Sequence, residues 1–253
     1  MDLTTIPAPA FTMLDGVTQT VAAVCYASVG AAAWLRATGD IRTRVFLALA
    51  LANVIVCSVP TFWWLRGTTD PSKLPLAATA MVMAALGVGS LLLFHFSQVF
   101  PRRRPWIRSS GIQMALAYCL APVTIAVLVW FAPPTVAALT PPYVLLMIVF
   151  GFPLIVLVGI VLPVTAVVSL ARSHRELPQT GAPHLRRAIE LILLSQIAGG
   201  MLAALFAPVL AVAAPRSVGE SVLTLLIWIL GLLTPLAFAV AVWKGDLLSI
   251  SAD

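Results

Sequence analysis

Seven apolar runs organise this chain, and each is long enough to cross a bilayer as a helix. They are Gly16–Leu35, Val45–Leu65, Leu76–Phe100, Gly111–Phe131, Tyr143–Leu170, Ala188–Ala214 and Val222–Trp243. A spanning helix needs about 20 predominantly apolar residues, so every run qualifies, and the longest three must tilt or protrude. Composition agrees: 61% of the 253 residues are hydrophobic and only 9% are charged. The mean hydropathy is +1.04. A soluble domain carries about 25% charged residues, and 9% cannot coat a water-soluble globule of this length. The predicted fold class is all-α, a polytopic membrane bundle of seven transmembrane helices.

The basic residues set the threading. Phe100-Pro101-Arg102-Arg103-Arg104-Pro105-Trp106-Ile107-Arg108 holds four arginines and no acid between two apolar runs. Arginine is costly in hydrocarbon, and cytoplasmic loops beside spans collect Lys and Arg. Placing Arg102, Arg103, Arg104 and Arg108 inside puts Arg36, Arg42, Arg44, Arg172, Arg175, Arg186, Arg187 and Lys244 inside as well. Twelve of the 15 basic residues then share one side, and only Arg66, Lys73 and Arg216 lie on the other. The expectation is an outer N-terminus and a cytoplasmic C-terminus, in a multi-pass protein of the cytoplasmic membrane. Residues 1–15 form the extracytoplasmic segment, 16–243 the seven-helix domain and 244–253 a cytoplasmic stub. Met1 to Asp15 contains Asp2 and Asp15 but no Lys or Arg, so the first run lacks the positive flank of a cleaved signal peptide.

The net charge of +6 does not point to nucleic acid. The cations sit in short loops, where the positive-inside rule accounts for them, and their expected partner is the anionic surface of the lipid bilayer. Cys25, Cys57 and Cys119 each lie in an apolar run without a CxxC, which predicts neither a disulfide framework nor a metal site. Trp63-Trp64, Trp130-Phe131 and Tyr143 read as interfacial belt residues at the outer ends. Pro133, Pro134, Pro141 and Pro142 predict a stiff, extended fourth outer connection, and Ala171 to Arg187 a partly irregular inner loop. Pro60, Pro122, Pro153, Pro163, Pro208 and Pro235 lie within spans and can bend them. Gly30-Ala31-Ala32-Ala33, Gly87-Val88-Gly89-Ser90 and Gly199-Gly200 permit close helix contact and are compatible with a homo-oligomer.

Few residues offer chemistry. His95, in Phe94-His95-Phe96-Ser97-Gln98, reads first as a histidine bonded to a neighbouring helix, with a hinge or ligand-contact role as the alternative. A haem site would need a second axial ligand, and His174 and His184 fall in the third inner loop, so no cofactor is expected. Glu190 is the one acid within a run. Arg186 and Arg187 precede it by four and three residues, so an interfacial ion pair with Arg186 is expected. Asn53, Gln113, Ser195 and Gln196 are the remaining polar groups in or near spans. They read as interhelical hydrogen-bonding groups, with Asn53 and Gln196 as alternative lining for a cavity. There is no HExxH, no GxSxG, no phosphate-binding glycine loop and no paired intramembrane aspartates, and no catalytic residue is assigned.

Two stretches carry a resemblance. One is His95-Phe96-Ser97-Gln98-Val99-Phe100-Pro101-Arg102-Arg103-Arg104-Pro105. The other runs from Thr234-Pro235-Leu236 through Trp243-Lys244-Gly245-Asp246-Leu247-Leu248-Ser249-Ile250. Together, with Leu185-Arg186-Arg187 as a weaker third, they resemble the N-terminal seven-helix sensor region of bacterial membrane histidine kinases and related membrane-tethered phosphatases. The resemblance implies a signalling module that passes a ligand- or partner-dependent helix rearrangement to a cytoplasmic or membrane protein partner. The sequence ends at Asp253 without the phosphotransfer helix or ATP-binding domain of that group, so the expectation is an isolated sensor region or a stand-alone relative. A small transporter or channel subunit, with a polar path through Asn53, Gln113, His95 and Gln196, is a second reading. A scaffold subunit of a larger membrane complex is a third.

Overall fold

A computed structural model describes residues 13–36, 40–67, 75–100, 111–132, 140–177, 183, 186–197, 233–238 and 240. Among these residues all regular structure is helical. Five helices are long and apolar enough to cross a membrane: α1 (Met13–Arg36), α2 (Ile41–Leu65), α3 (Leu76–Val99), α4 (Gly111–Trp130) and α5 (Pro141–Glu176). Residues 186–197 and 233–238 are also helical and fall within the sixth and seventh apolar runs. The rest of those runs, the arginine segment with Arg102, Arg103, Arg104 and Arg108, and residues 244–253 lie outside the described residues.

Proline chemistry draws several boundaries. Phe100 precedes Pro101, whose ring disfavours helical backbone in the residue before it. Phe100 is accordingly extended (φ −115°, ψ 139°), and α3 stops at Val99. Leu177 precedes Pro178 and is extended likewise, which ends α5 at Glu176. Two expectations are corrected here. The inner loop does not start at Ala171: α5 runs on through His174 and Arg175, whose positive charge or polarity suits a helix C-terminus. The hydropathy drop after Leu170 marks where apolar burial ends, whereas backbone hydrogen bonding continues. Nor are Pro141 and Pro142 extended. They occupy the first turn of α5 after Thr140, where a missing N–H costs nothing and a fixed φ already suits a helix.

Helix α5 contains two π-helical turns, Met147–Gly151 and Leu157–Val161. Each closes just before a proline. The N–H of Phe152 donates to the Met147 carbonyl, and that of Leu162 to the Leu157 carbonyl. Pro153 and Pro163 cannot donate, and their rings crowd the carbonyl four residues back. Widening the preceding turn by one residue relieves the crowding without ending the helix. The prolines therefore become wide turns in one continuous rod.

Helix α1 packs on α2, α2 on α3, and α3 on both α4 and α5, so α3 is the hub of the five described long helices. Gly30 brings α1 against α2: a Cβ there would lie 2.8 Å from the Ala50 Cβ. Gly87 does the same between α3 and α4, where a Cβ would collide with Ile125. The main core gathers at one end of the bundle. It joins Val29 and Ala33 of α1, Phe46 and Leu49 of α2, Phe96 with Phe100 after α3, and Leu170 of α5, together with Ile189, Ile192 and Phe238. This is the end at which the chain leaves α3 for the arginine segment, and we call it the basic end. Helix α4, by contrast, buries only Ala121. Lipid tails are as apolar as Leu or Val, so an apolar helix loses nothing by presenting such faces to them.

Candidate functional site

At mid-length the helices part around a cavity of about 250 Å³. Among the described residues, five chain segments line it: α1 through Tyr26, α2 through Asn53, α3 through Gly89 and Ser90, the sixth run through Gln196 and the seventh through Thr234. Asn53 is the central residue of α2, about 18 Å from either end at ~1.5 Å per residue. Gly89 supplies room, since a Cβ there meets only the Ala52 Cβ, at 4.0 Å. Leu86 also lines the cavity and is 46% exposed, so the space opens sideways along α3.

The polar groups in the wall are not saturated by one another. Asn53 Nδ2 donates to the Leu49 carbonyl at 2.8 Å, one turn back, which leaves Oδ1 to accept from a guest. Gln196 Nε2 donates to Thr234 Oγ1 at 3.4 Å. A bond that long is weak and readily exchanged. Ser90 Oγ donates to the Leu86 carbonyl at 3.3 Å. No Lys, Arg, Asp or Glu is among the described lining residues.

The cavity floor is aromatic. Phe46 and Phe238 line it, with ring centroids 4.9 Å apart. Both meet Phe96, at 6.0 and 5.7 Å, and Phe96 stacks on Phe100 at 5.2 Å with the rings 6° from parallel. Phe96, Phe100 and Phe238 are at most 1% exposed. A rigid, close-packed aromatic stack thus runs from the cavity to the residue that precedes Pro101. Dense packing of this kind passes a displacement on rather than absorbing it.

Polar contacts brace the same end. Asp40 caps α2: its Oδ1 accepts from the Arg42 N–H at 2.8 Å, and its Oδ2 accepts from Arg42 Nε at 2.6 Å. Arg42 is only 5% exposed. Ser169 Oγ of α5 donates to the Ser97 carbonyl of α3 at 3.2 Å. His174 Nε2 lies 2.8 Å from Glu190 Oε1 and 3.0 Å from Arg186 Nε, and Arg186 Nε lies 3.7 Å from Glu190 Oε1. The end of α5 is thereby tied to residues 186–197.

Of the four polar candidates, the fold brings Asn53 and Gln196 to one cavity and leaves the other two elsewhere. His95 Nδ1 and the Tyr118 hydroxyl of α4 share a hydrogen bond of 2.8 Å whose direction follows the tautomer, and Gln113 is exposed on α4. The described residues do not join the four into one polar path. Ser195 is buried and donates to the Ile192 carbonyl in its own helix. Tyr26 and Thr234 escape notice in the sequence because a lone hydroxyl in an apolar run has no periodic or motif signal. The one sequence-level hint is that Tyr26 is the only tyrosine in the first three runs. Comparison with protein-family models, with curated proteins and with solved structures finds no match.

Proposed function

We propose that this chain is a seven-helix sensor of the bacterial inner membrane, with its N-terminus outside and its C-terminus in the cytoplasm. It has no catalysis of its own and relays binding to a cytoplasmic or membrane partner. The carrying observation is that the floor of the mid-depth cavity, Phe46 and Phe238, is also the top of the aromatic stack ending at Phe100. A guest that favours one packing of these rings shifts the population of helix arrangements in proportion to its differential affinity. The shift leaves through the seventh span to Lys244 and beyond, and through the arginine segment. The resemblance of His95–Pro105 and Thr234–Ile250 to kinase sensor regions supports this route.

A reporter at the cytoplasmic end tests it. An environment-sensitive fluorophore is attached at Ser249→Cys, with Cys25, Cys57 and Cys119 replaced, and the full chain is placed in liposomes. Filling the cavity with Gly89→Leu is expected to shift the emission, and Val123→Leu on the exposed face of α4 is expected to leave it unchanged. Identical spectra for all three proteins would overturn the proposal.

A further inference from the structure

We infer that the cavity takes an uncharged, lipid-soluble molecule with one hydrogen-bonding head on a short apolar body, admitted from the hydrocarbon phase. The inference rests on the sensor reading for its purpose, though not for its chemistry.

Charge is excluded first. The seven apolar runs contain Glu190 as their one acid and no Lys or Arg, and Glu190 is bonded at the basic end. A charged guest at mid-depth would find no counter-charge to offset its desolvation. A purely apolar guest is disfavoured in turn. It would leave Asn53 Oδ1 and the weakly held Gln196 and Thr234 facing hydrocarbon, and unsatisfied polar groups are costly there. A guest with one hydroxyl-like head satisfies both demands, donating to Asn53 Oδ1 and accepting from Gln196. Its tail has apolar wall to lie on, among Val56, Leu86 and Leu93, and Leu86 marks the sideways opening. Size follows from volume. A cavity of about 250 Å³ suits a small guest with a short tail. A medium-chain alcohol is the simplest molecule of that description.

The test is photolabelling of the full chain in liposomes with a diazirine-bearing octanol, followed by peptide mapping and competition. The expected result is saturable labelling of α2 and α3 around Asn53 and Gly89. Excess 1-octanol should remove it, while octane, octanoate and octyltrimethylammonium should not. Asn53→Leu should weaken saturable labelling about fivefold, the factor carried by one hydrogen bond. Gly89→Leu should abolish it, with the thermal unfolding midpoint confirming that both variants fold. Labelling that never saturates, or that spreads over the exposed faces of α4 and α5, would mean partitioning into lipid and overturn the inference. Competition by either charged octyl compound would overturn it too. The two readings separate cleanly. Saturable alcohol capture with a silent Ser249→Cys reporter sinks the sensor and keeps the ligand. A responsive reporter without saturable capture does the reverse.

Discussion

Gly30 is a place where one hydrogen atom decides how two helices meet. A Cβ there would lie 2.8 Å from the Ala50 Cβ, which is fixed to its own backbone and cannot rotate away. Gly30→Ala should therefore cost about 1–3 kcal/mol through overpacking. Adding Ala50→Gly should return most of it, because the two changes share one contact. Unfolding midpoints of the two single variants and the double variant, titrated in mixed micelles, measure the coupling; additive losses would remove Gly30 from the contact. Asp40 does two tasks for α2, capping the Arg42 N–H and bonding its guanidinium. Both side chains are largely buried, at 6% exposure for Arg42 and 16% for Asp40. Asp40→Ala should cost about 3 kcal/mol, combining a lost cap with a buried arginine deprived of this carboxylate. Asp40→Asn keeps an oxygen for the cap and should cost clearly less. Equal losses in the same unfolding titration would mean that the cap contributes nothing. Both residues stand plainly in the sequence, but neither role does: a glycine among alanines names no partner, and an aspartate before an apolar run signals a cap without revealing a buried arginine.

Helix α5 shows what a proline does when the rest of its helix stays intact. Pro153 and Pro163 stand ten residues apart, and so do the starts of the two π turns. The correspondence makes a specific expectation. Pro153→Ala restores a donor and removes the ring, so Met147–Gly151 should tighten to ordinary α-helix while Leu157–Val161 stays wide. Tightening deletes the extra residue from that turn and rotates everything N-terminal to it by about 100°, one residue's share of a 3.6-residue turn. Tyr143 would then lose the bond its hydroxyl donates to the Leu128 carbonyl of α4, at 3.2 Å. Lipid-phase accessibility of cysteines placed singly at residues 144–149 reads the rotation. An unchanged pattern would show that the wide turn arises from packing and not from the proline. In the sequence these prolines announce a distortion but not its form, since kink, break and wide turn all answer the same missing N–H.

At the scale of the whole molecule, the described helices pack tightly at the basic end and loosely elsewhere, with the cavity at the boundary between the two regimes. The tightly packed end holds the aromatic stack, the buried Arg42 and the bonds from α5 to residues 186–197. Among the described residues, a change in the cavity therefore meets its stiffest material toward the basic end. The threading we propose carries its own test. In intact cells, a membrane-impermeant reagent should reach a tag placed before Met1 and fail to reach one placed after Asp253. Reaction at both tags, or at neither, would overturn the seven-span arrangement and the sensor with it.

Length and hydropathy alone were enough to determine that the described elements are helical and that five of them can cross a bilayer. Both follow from local chemistry: a long run without charge must satisfy its backbone within itself. The first five runs also agree with α1 to α5 to within a few residues at most ends, apart from the extension of α5 to Glu176. Only the tertiary structure decided which polar groups act together. Asn53 and Gln196 share a wall while His95 turns to Tyr118 and Gln113 faces outward, because those outcomes depend on helix rotation and neighbour choice. A helix apolar all round carries no stripe to say which face is inside. Its rotation is settled by contacts such as Gly30 against Ala50 and Phe46 against Phe238, between residues far apart in the chain.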